Sequence, residues 1–354
     1  MSRFLSEKYR DLTPYTPGEQ PKVMNVVKLN TNECPFPPSE RAKAYALAHT
    51  RELNLYPELQ CIDLRTKIAE MHGVSPENII LGNGSDELLN FATMAFCDKG
   101  TPAAFANITY GFYPVYAAVN LVPYVEIPLR SDFSIAPEDY FELGKTIFLA
   151  NPNAPTGMCL SVAQIEQIVR HNPKNIVVVD EAYVDFGGET CIPLIKRYDN
   201  LLVVQTFSKS RSMAGARLGF AAGDAALIND LNAMKFSINP YNINSMTMAM
   251  GLGVLEDEEQ TKANCRAIME NREYTVAELQ KLGFRVLPSS ANFIFAVSEK
   301  IGGRELYLKL KERGVLIRHF DRPEIAAWVR ITIGTREQMD VFLKNVREIL
   351  EEQA

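Results

Sequence analysis

The sequence is poor in the residues that bind metals, and the few present are not grouped. Its four histidines stand at 49, 72, 171 and 319, and its six cysteines at 34, 61, 97, 159, 191 and 265. No C-x-x-C pair occurs, which removes zinc-finger and haem-attachment spacing, and no metal site is expected. Scattered cysteines in a chain of this size read as buried thiols of a reducing compartment, so a cytoplasmic location is expected. Positive charge is not in excess: 37 Lys and Arg against 43 Asp and Glu give a net charge of −6. Nothing therefore draws the chain electrostatically to nucleic acid or anionic lipid, and neither is expected as a partner. The charge-free stretch from Phe236 to Leu255 is broken by Asn239, Pro240, Asn242, Asn244 and Ser245. Those groups are costly in hydrocarbon, so the stretch is not read as a membrane span. The opening MSRFLSEKYRDL carries charge in every turn and lacks an apolar core, so no signal peptide is expected.

What remains is a composition of 47% hydrophobic and 23% charged residues over 354 positions. That is the balance of a soluble globular protein with one large and one small domain. The expected division is residues 1–40 as an arm and part of the small domain, 41–255 as the large domain and 256–354 as the small one. The first forty residues are rich in Pro, Thr and Asn and read as an extended arm with turns. Helical periodicity follows over Leu59–Met71, ending at Gly73, and again from about Ser85 to Phe96, Gly111 to Leu121, Val162 to Arg170 and Pro193 to Tyr198. Between them lie short runs: Asn78–Leu81, Pro102–Ala106, Pro123–Pro128, Thr146–Ala150, Ile176–Val179 and Leu201–Phe207. Several are rich in Ile, Val, Leu or Phe, as strands buried on both faces of a parallel sheet are. The pattern changes near Glu256. A long helix to about Leu282 is followed by strands in FRVLPS and NFIFAV, a helix near Gly303–Arg313, strands in VLIR and WVRITIG, and a last helix over Arg336–Glu351. The fold class is α/β, a mostly parallel sheet flanked by helices, plus a smaller α+β unit.

Two buried strands end in residues that carry chemistry. NIVVVD ends in Asp180, and LLVVQTFSK ends in Thr206, Ser208 and Lys209. Their separation is about one βαβ repeat, so both should emerge on the edge of the sheet where ligands bind. A lysine amine and a carboxylate at one edge suit pyridoxal-phosphate chemistry. The amine forms a Schiff base, and the carboxylate keeps the pyridine nitrogen protonated. The phosphate needs hydroxyls, backbone N–H groups and a cation. Thr206 and Ser208 offer hydroxyls, Arg217 a guanidinium fork, and Gly82-Asn83-Gly84-Ser85-Asp86 a helix N-terminus. In WVRITIG, Trp328, Arg330 and Thr332 share one strand face, which aims an arginine at a substrate anion. Arg318 in VLIRHF is a second cation framed in the same way.

LGNGSDELL, ITYGFYPVY, NPNAPTG, VVVDEAYVDF, TFSKSRSMAGARLGF and VRITIGTREQ together resemble the fold-type I pyridoxal-phosphate aminotransferases. Within that group they resemble the histidinol-phosphate aminotransferases. Ser208-Lys209 followed at the family's interval by Arg217 is the most specific element. The resemblance implies pyridoxal 5'-phosphate as cofactor and a homodimer. It implies transfer of the amino group of histidinol phosphate to 2-oxoglutarate, giving imidazole acetol phosphate and glutamate. Threonine-phosphate decarboxylases and aromatic aminotransferases share the motifs and stay open as alternatives. By position, Lys209 would bear the cofactor and move the proton, and Asp180 would pair with the pyridine nitrogen. Tyr183 would bond the phenolic oxygen and Tyr110 would stack on the ring. Ser85, Asp86, Thr206, Ser208 and Arg217 would surround the phosphate. Tyr56 in NLYPE would reach across the dimer to the partner's phosphate. Tyr15, Arg318 and Arg330 would contact the substrate. At Ala154 the family often has an asparagine that bonds the phenolic oxygen, so that hydrogen bond is missing here.

Other readings fail on residues. A dinucleotide fingerprint at Gly82-Asn83-Gly84 lacks its third glycine, because position 87 is Glu. The same turn lacks G-x-S-x-G, and Ser208-Lys209-Ser210 lacks the glycines of a P-loop.

Overall fold

A computed structural model describes residues 2–16, 18–20 and 26–353. In chain order its strands are β1 Val27–Lys28, β2 Ile79–Gly82, β3 Ala103–Ala106, β4 Tyr124–Ile127, β5 Thr146–Ala150, β6 Val177–Asp180, β7 Leu201–Thr206 and β8 Gly219–Gly223. They continue as β9 Phe284–Val286, β10 Phe293–Ser298, β11 Val315–Leu316, β12 Arg318–His319 and β13 Val329–Thr332. The α-helices are α1 Glu40–Ala48, α2 Ile62–His72, α3 Gly84–Phe96, α4 Tyr113–Val119 and α5 Val162–Arg170. They are followed by α6 Ala225–Ile238, α7 Ser245–Leu255, α8 Glu258–Lys281, α9 Gly303–Glu312 and α10 Arg336–Glu351.

The central sheet has seven strands in the order β2-β8-β7-β6-β5-β3-β4. β8 runs against both of its neighbours and the other pairings are parallel. The middle strands β5, β6 and β7 are buried along their whole length, as their continuous apolar runs require. Helices cover both faces, so the core splits into two layers. One is built around Ile147, Val179, Val203 and α5, the other around Phe105, Phe148, Val204 and α3. The second sheet is antiparallel, β12-β13-β10-β9. It packs on α8 and α10 through Phe293, Ile294, Ile331, Phe342 and Val346. β1 pairs in parallel with β11, so the N-terminal segment is tied to the C-terminal third of the chain.

Several boundaries differ from the pattern for local reasons. α2 begins at Ile62 rather than Leu59, because Cys61 takes φ 50° and the Glu58 carboxylate accepts from the backbone N–H of Gln60 and Ile62. α4 is shorter at both ends than Gly111–Leu121. The helix expected at Pro193–Tyr198 is a 3₁₀ turn, Ile192–Lys196. VLIR is not one strand: β11 and β12 belong to different sheets, with Ile317 between them. β8, with the sequence GFAAG, has no reading in the periodicity, since small residues signal neither period. The structure supplies their reason. A Cβ on Gly219 would lie 2.6 Å from the Ser85 backbone nitrogen and 2.7 Å from the Gly84 carbonyl carbon. β8 therefore runs close beneath the turn that opens α3, and that approach fixes the turn's position.

Gly219→Ala should push β8 off this turn. Overpacking against backbone costs about 1–3 kcal/mol. Urea unfolding should register a midpoint lowered to match, whereas an unchanged midpoint would mean the turn yields freely.

Candidate active site

β6 and β7 pair in parallel, with Asp180 opposite Val204. Asp180 is the last residue of β6, and Lys209 lies three residues beyond the end of β7. Both open on a cleft of about 530 Å³ lined by Ser85, Asp86, Tyr110, Ala154, Asp180, Tyr183, Thr206, Ser208, Lys209 and Arg217, among others. Every cofactor residue expected from the sequence is in this lining except Tyr56.

Lys209 sits on the cleft floor. Its Nζ donates to the Thr31 carbonyl at 3.2 Å and lies 5.8 Å from the Tyr183 ring centroid. Burial pulls its pKa down to about 8, assisted by Arg330 and Arg217 and opposed by Asp86 and Glu33. A lysine so poised offers a larger neutral fraction near neutral pH than an ordinary lysine does. Asp180 is buried. It accepts from the Tyr113 hydroxyl at 3.1 Å and the Ala182 backbone N–H at 3.1 Å. Desolvation lifts its carboxyl to about 6, against those two hydrogen bonds. A carboxylate held at that cost favours a cationic neighbour from the cleft side.

A second cluster forms where α3 begins. Gly84 takes φ 76°, and a Cβ there would lie 2.6 Å from Arg217 Nη2, so only glycine admits the arginine. Arg217 itself adopts φ 56°, an uncommon conformation for a residue with a Cβ and one found at functional sites. Its Nη2 donates to Asp86 Oδ2 at 2.8 Å and its Nη1 to Ser208 Oγ at 3.4 Å. The Thr206 hydroxyl donates to Ser208 Oγ at 3.0 Å and accepts from the Ser208 N–H at 3.1 Å. Asp86 Oδ1 also accepts from the Tyr110 and Tyr116 hydroxyls, at 2.7 and 2.9 Å. A guanidinium, two hydroxyls and a helix N-terminus thus converge at one end of the cleft, the donor set for a phosphate.

The expected substrate residues Tyr15, Arg318 and Arg330 lie outside this lining, although Arg330 is near enough to Lys209 to lower its pKa. Arg318 and Arg330 are directly opposed across the β12–β13 pair. Arg330 Nη2 donates to the Asn30 carbonyl at 2.8 Å, while its buried Nε has no hydrogen-bond partner among the described residues. Burial lowers its pKa, with Arg318 adding to the effect and Tyr183 and Tyr15 opposing it. Arg318 donates to the Thr16 carbonyl at 3.2 Å. Tyr15 packs on Phe112 with ring centroids 4.2 Å apart. Tyr56 stands apart. It is 81% exposed and stacks on Tyr241 at 4.5 Å.

Some contributors carried no usable signal in one sequence. Asn32 donates to the Tyr183 hydroxyl at 3.0 Å, and Tyr113 supports Asp180, although beside Tyr110 it reads as a core aromatic. Neither neighbour of Ala154 replaces the missing asparagine. The Asn151 side chain bonds the backbone of Leu160 in both directions, and the Asn153 side chain is engaged by Ile108 and Thr109.

Residues 24–346 match the family model "Aminotransferase class I and II". The chain belongs to that family. A histidinol-phosphate aminotransferase from Brachyspira hyodysenteriae is 47% identical to this aminotransferase over 352 residues, covering 99% of each chain. Histidinol-phosphate aminotransferase 2 of Dechloromonas aromatica is 48% identical over 355 residues, again 99% of each. Among solved structures, histidinol-phosphate aminotransferase from Sinorhizobium meliloti in complex with pyridoxal-5'-phosphate superposes with a TM-score of 0.85 at 22% identity, covering 92% of this chain and 91% of that one. The fold is that of the fold-type I aminotransferases, as the motifs imply. Among the described residues no helix is long and apolar enough to cross a membrane.

In full-length protein freed of cofactor, pulsed acylation of Lys209 read by mass spectrometry should titrate near pH 8, some two units below an ordinary lysine. Reactivity that rises only near pH 10 would mean that the amine is solvated.

Proposed function

We propose that this aminotransferase moves an amino group between histidinol phosphate and 2-oxoglutarate, giving imidazole acetol phosphate and glutamate, with pyridoxal 5'-phosphate as cofactor. The opposed pair Arg318 and Arg330 carries the substrate assignment. Like charges directly opposite each other on a sheet destabilise it, and a desolvated guanidinium with an unused Nε–H favours an anion. A phosphate monoester has about two charges near neutral pH and three acceptor oxygens, enough for both forks. Two relatives at 47% and 48% identity carry the name histidinol-phosphate aminotransferase, which supports the same substrate.

The cleft residues fit the cofactor. Arg217, Thr206, Ser208, Ser85 and Asp86, the last two through the start of α3, would hold its phosphate. Asp180 would face the ring nitrogen, Tyr110 the ring and Tyr183 the phenolic oxygen. When bound, the cofactor supplies an electron sink for the pair released at the substrate carbon. Lys209 supplies the anchoring amine, and its Nζ, neutral near pH 8, accepts and returns a proton. Asp180 keeps a proton on the ring nitrogen by holding a negative charge beside it. Arg330, Arg318 and Tyr15 orient the substrate's anionic end, and Tyr113 and Asn32 steady Asp180 and Tyr183.

We infer a homodimer as the working form, located in the cytoplasm. Leu47, Leu53, Leu55, Tyr56 and Ile62 are exposed along α1, the following loop and α2. An apolar face of this kind on a biosynthetic enzyme favours burial against a second copy. Tyr56, pointing away from its own cleft, would then reach the partner's.

Loss of either arginine removes charged hydrogen bonds worth roughly 1.5–3 kcal/mol each. Arg318→Ala and Arg330→Ala should each raise the Michaelis constant for histidinol phosphate about ten- to two-hundred-fold. Wild type should use histidinol poorly, and the variants should narrow that gap. A wild type that prefers phenylalanine or tyrosine would sink the phosphate reading and leave Arg330 as a carboxylate clamp.

Lys209→Ala should lose at least about 10³ in rate and stay folded. Mixed with a Tyr56→Ala variant, itself impaired, it should regain part of the activity through hybrid dimers. No recovery, together with a monomer at assay concentration by sedimentation, would overturn the dimer.

A further inference from the structure

Three consecutive residues of the N-terminal segment hold three functional side chains. The Asn30 carbonyl accepts from Arg330, the Thr31 carbonyl from Lys209, and the Asn32 amide donates to Tyr183. Asn32, at φ 57°, is fixed from below. It exchanges hydrogen bonds with the Thr332 hydroxyl, both at 3.0 Å, and its carbonyl accepts from Asn292 at 2.9 Å. Thr31 is held differently. Its hydroxyl accepts from Lys28 Nζ at 2.5 Å and donates to Glu33 Oε2 at 2.7 Å. Lys28 and Glu33 are themselves paired in a short ion pair. This three-membered cluster is half-buried beside the cleft, and the roles proposed above make no use of it.

We propose that Glu33 is a positioning residue for the Lys209 amine: with Lys28 it fixes Thr31, whose carbonyl holds the amine whenever it is not bonded to the cofactor. The inference rests on Lys209 being the cofactor-bearing lysine. Geometry supports it through an unbroken chain of contacts: Lys28 to Glu33, Glu33 to Thr31, and Thr31 to Nζ. Electrostatics agree. The charged and titratable groups facing Lys209 are Arg330 from β13, Arg217 and Asp86 from the phosphate end, Asp180 from β6, Tyr183 and Glu33. Arg330 and Arg217 disfavour the ammonium, and Asp86 and Glu33 favour it. Asp86 is committed to Arg217 and two tyrosines. Asp180 is bonded to the Tyr113 hydroxyl and the Ala182 N–H, and Glu33, bonded to Lys28 and Thr31 among the described residues, is the carboxylate linked by contacts to the Thr31 carbonyl that holds the amine.

The test uses full-length, cofactor-free protein and the titration of Lys209 by pulsed acylation. Glu33→Gln should lower the midpoint by about half a pH unit or more, the effect of one nearby charge at a high effective dielectric. Lys28→Met should raise it, because Glu33 then acts on Lys209 unopposed. Glu33→Asp, which keeps the charge, should lie between wild type and Glu33→Gln. Opposite signs for the two neutralising variants are the signature, since general loosening of the segment would move both midpoints the same way. Midpoints that stay put, or that shift in one direction in both variants, overturn the proposal. Cofactor trapped by borohydride on a lysine other than Lys209 in wild type would instead overturn the underlying reading, independently of the midpoints.

Discussion

A half-buried lysine ammonium with, among the described residues, no carboxylate bonded to it is the constraint on which the rest of the site depends. Such a group is tolerated only if it can shed its proton or share it with well-placed acceptors. Here the acceptor is a backbone carbonyl, and the surrounding charges are mixed in sign. The fold supplies this environment cheaply. Parallel strands deliver Asp180 and Lys209 to one edge, and a glycine turn lets a guanidinium approach the start of α3. The small sheet adds two arginines. The perturbed acid and perturbed amine lie in one cleft, where function, rather than stability, accounts for the cost.

The large-scale organisation was legible in the residues. Buried strands announced themselves as short aliphatic runs, and the change of pattern near Glu256 announced the second sheet. The last helix has the bounds read from the sequence, Arg336–Glu351, and in the structure a capping box of Thr335 and Gln338 fixes its start. That Asp180 and Lys209 share one cleft was legible because both follow apolar strands about one βαβ repeat apart.

What escaped was set by contact across the chain. β8 is invisible in a hydropathy pattern because glycine and alanine have neither period, yet close approach to backbone demands small residues there. VLIR reads as one strand because sequence alternation says nothing about which sheet each half joins. Tyr113 looked like packing because its hydroxyl partner lies 67 positions away. Asn32 sits in a polar run, and its partners Tyr183, Asn292 and Thr332 lie 151, 260 and 300 positions away. The Ala154 question was resolved by hydrogen bonds rather than by spacing: Asn151 and Asn153 are both committed to holding their own loop.

The contact between Asn32 and Thr332 spans 300 residues. Synthesis proceeds from the N-terminus, so the segment that holds Lys209, Tyr183 and Arg330 leaves the ribosome first and waits longest for its partner. The seven-stranded sheet can assemble from residues up to Gly223, but the cleft cannot be finished until β13 has been made. Loop closure over such a distance is entropically slow. A chain truncated shortly before β13 would retain most of its apolar core and both ends of the cofactor cradle, yet lack one arginine and the threonine that anchors the N-terminal segment. Assembly of the large sheet and completion of the cleft are therefore separated in time, and the synthesis of β13 decides the second.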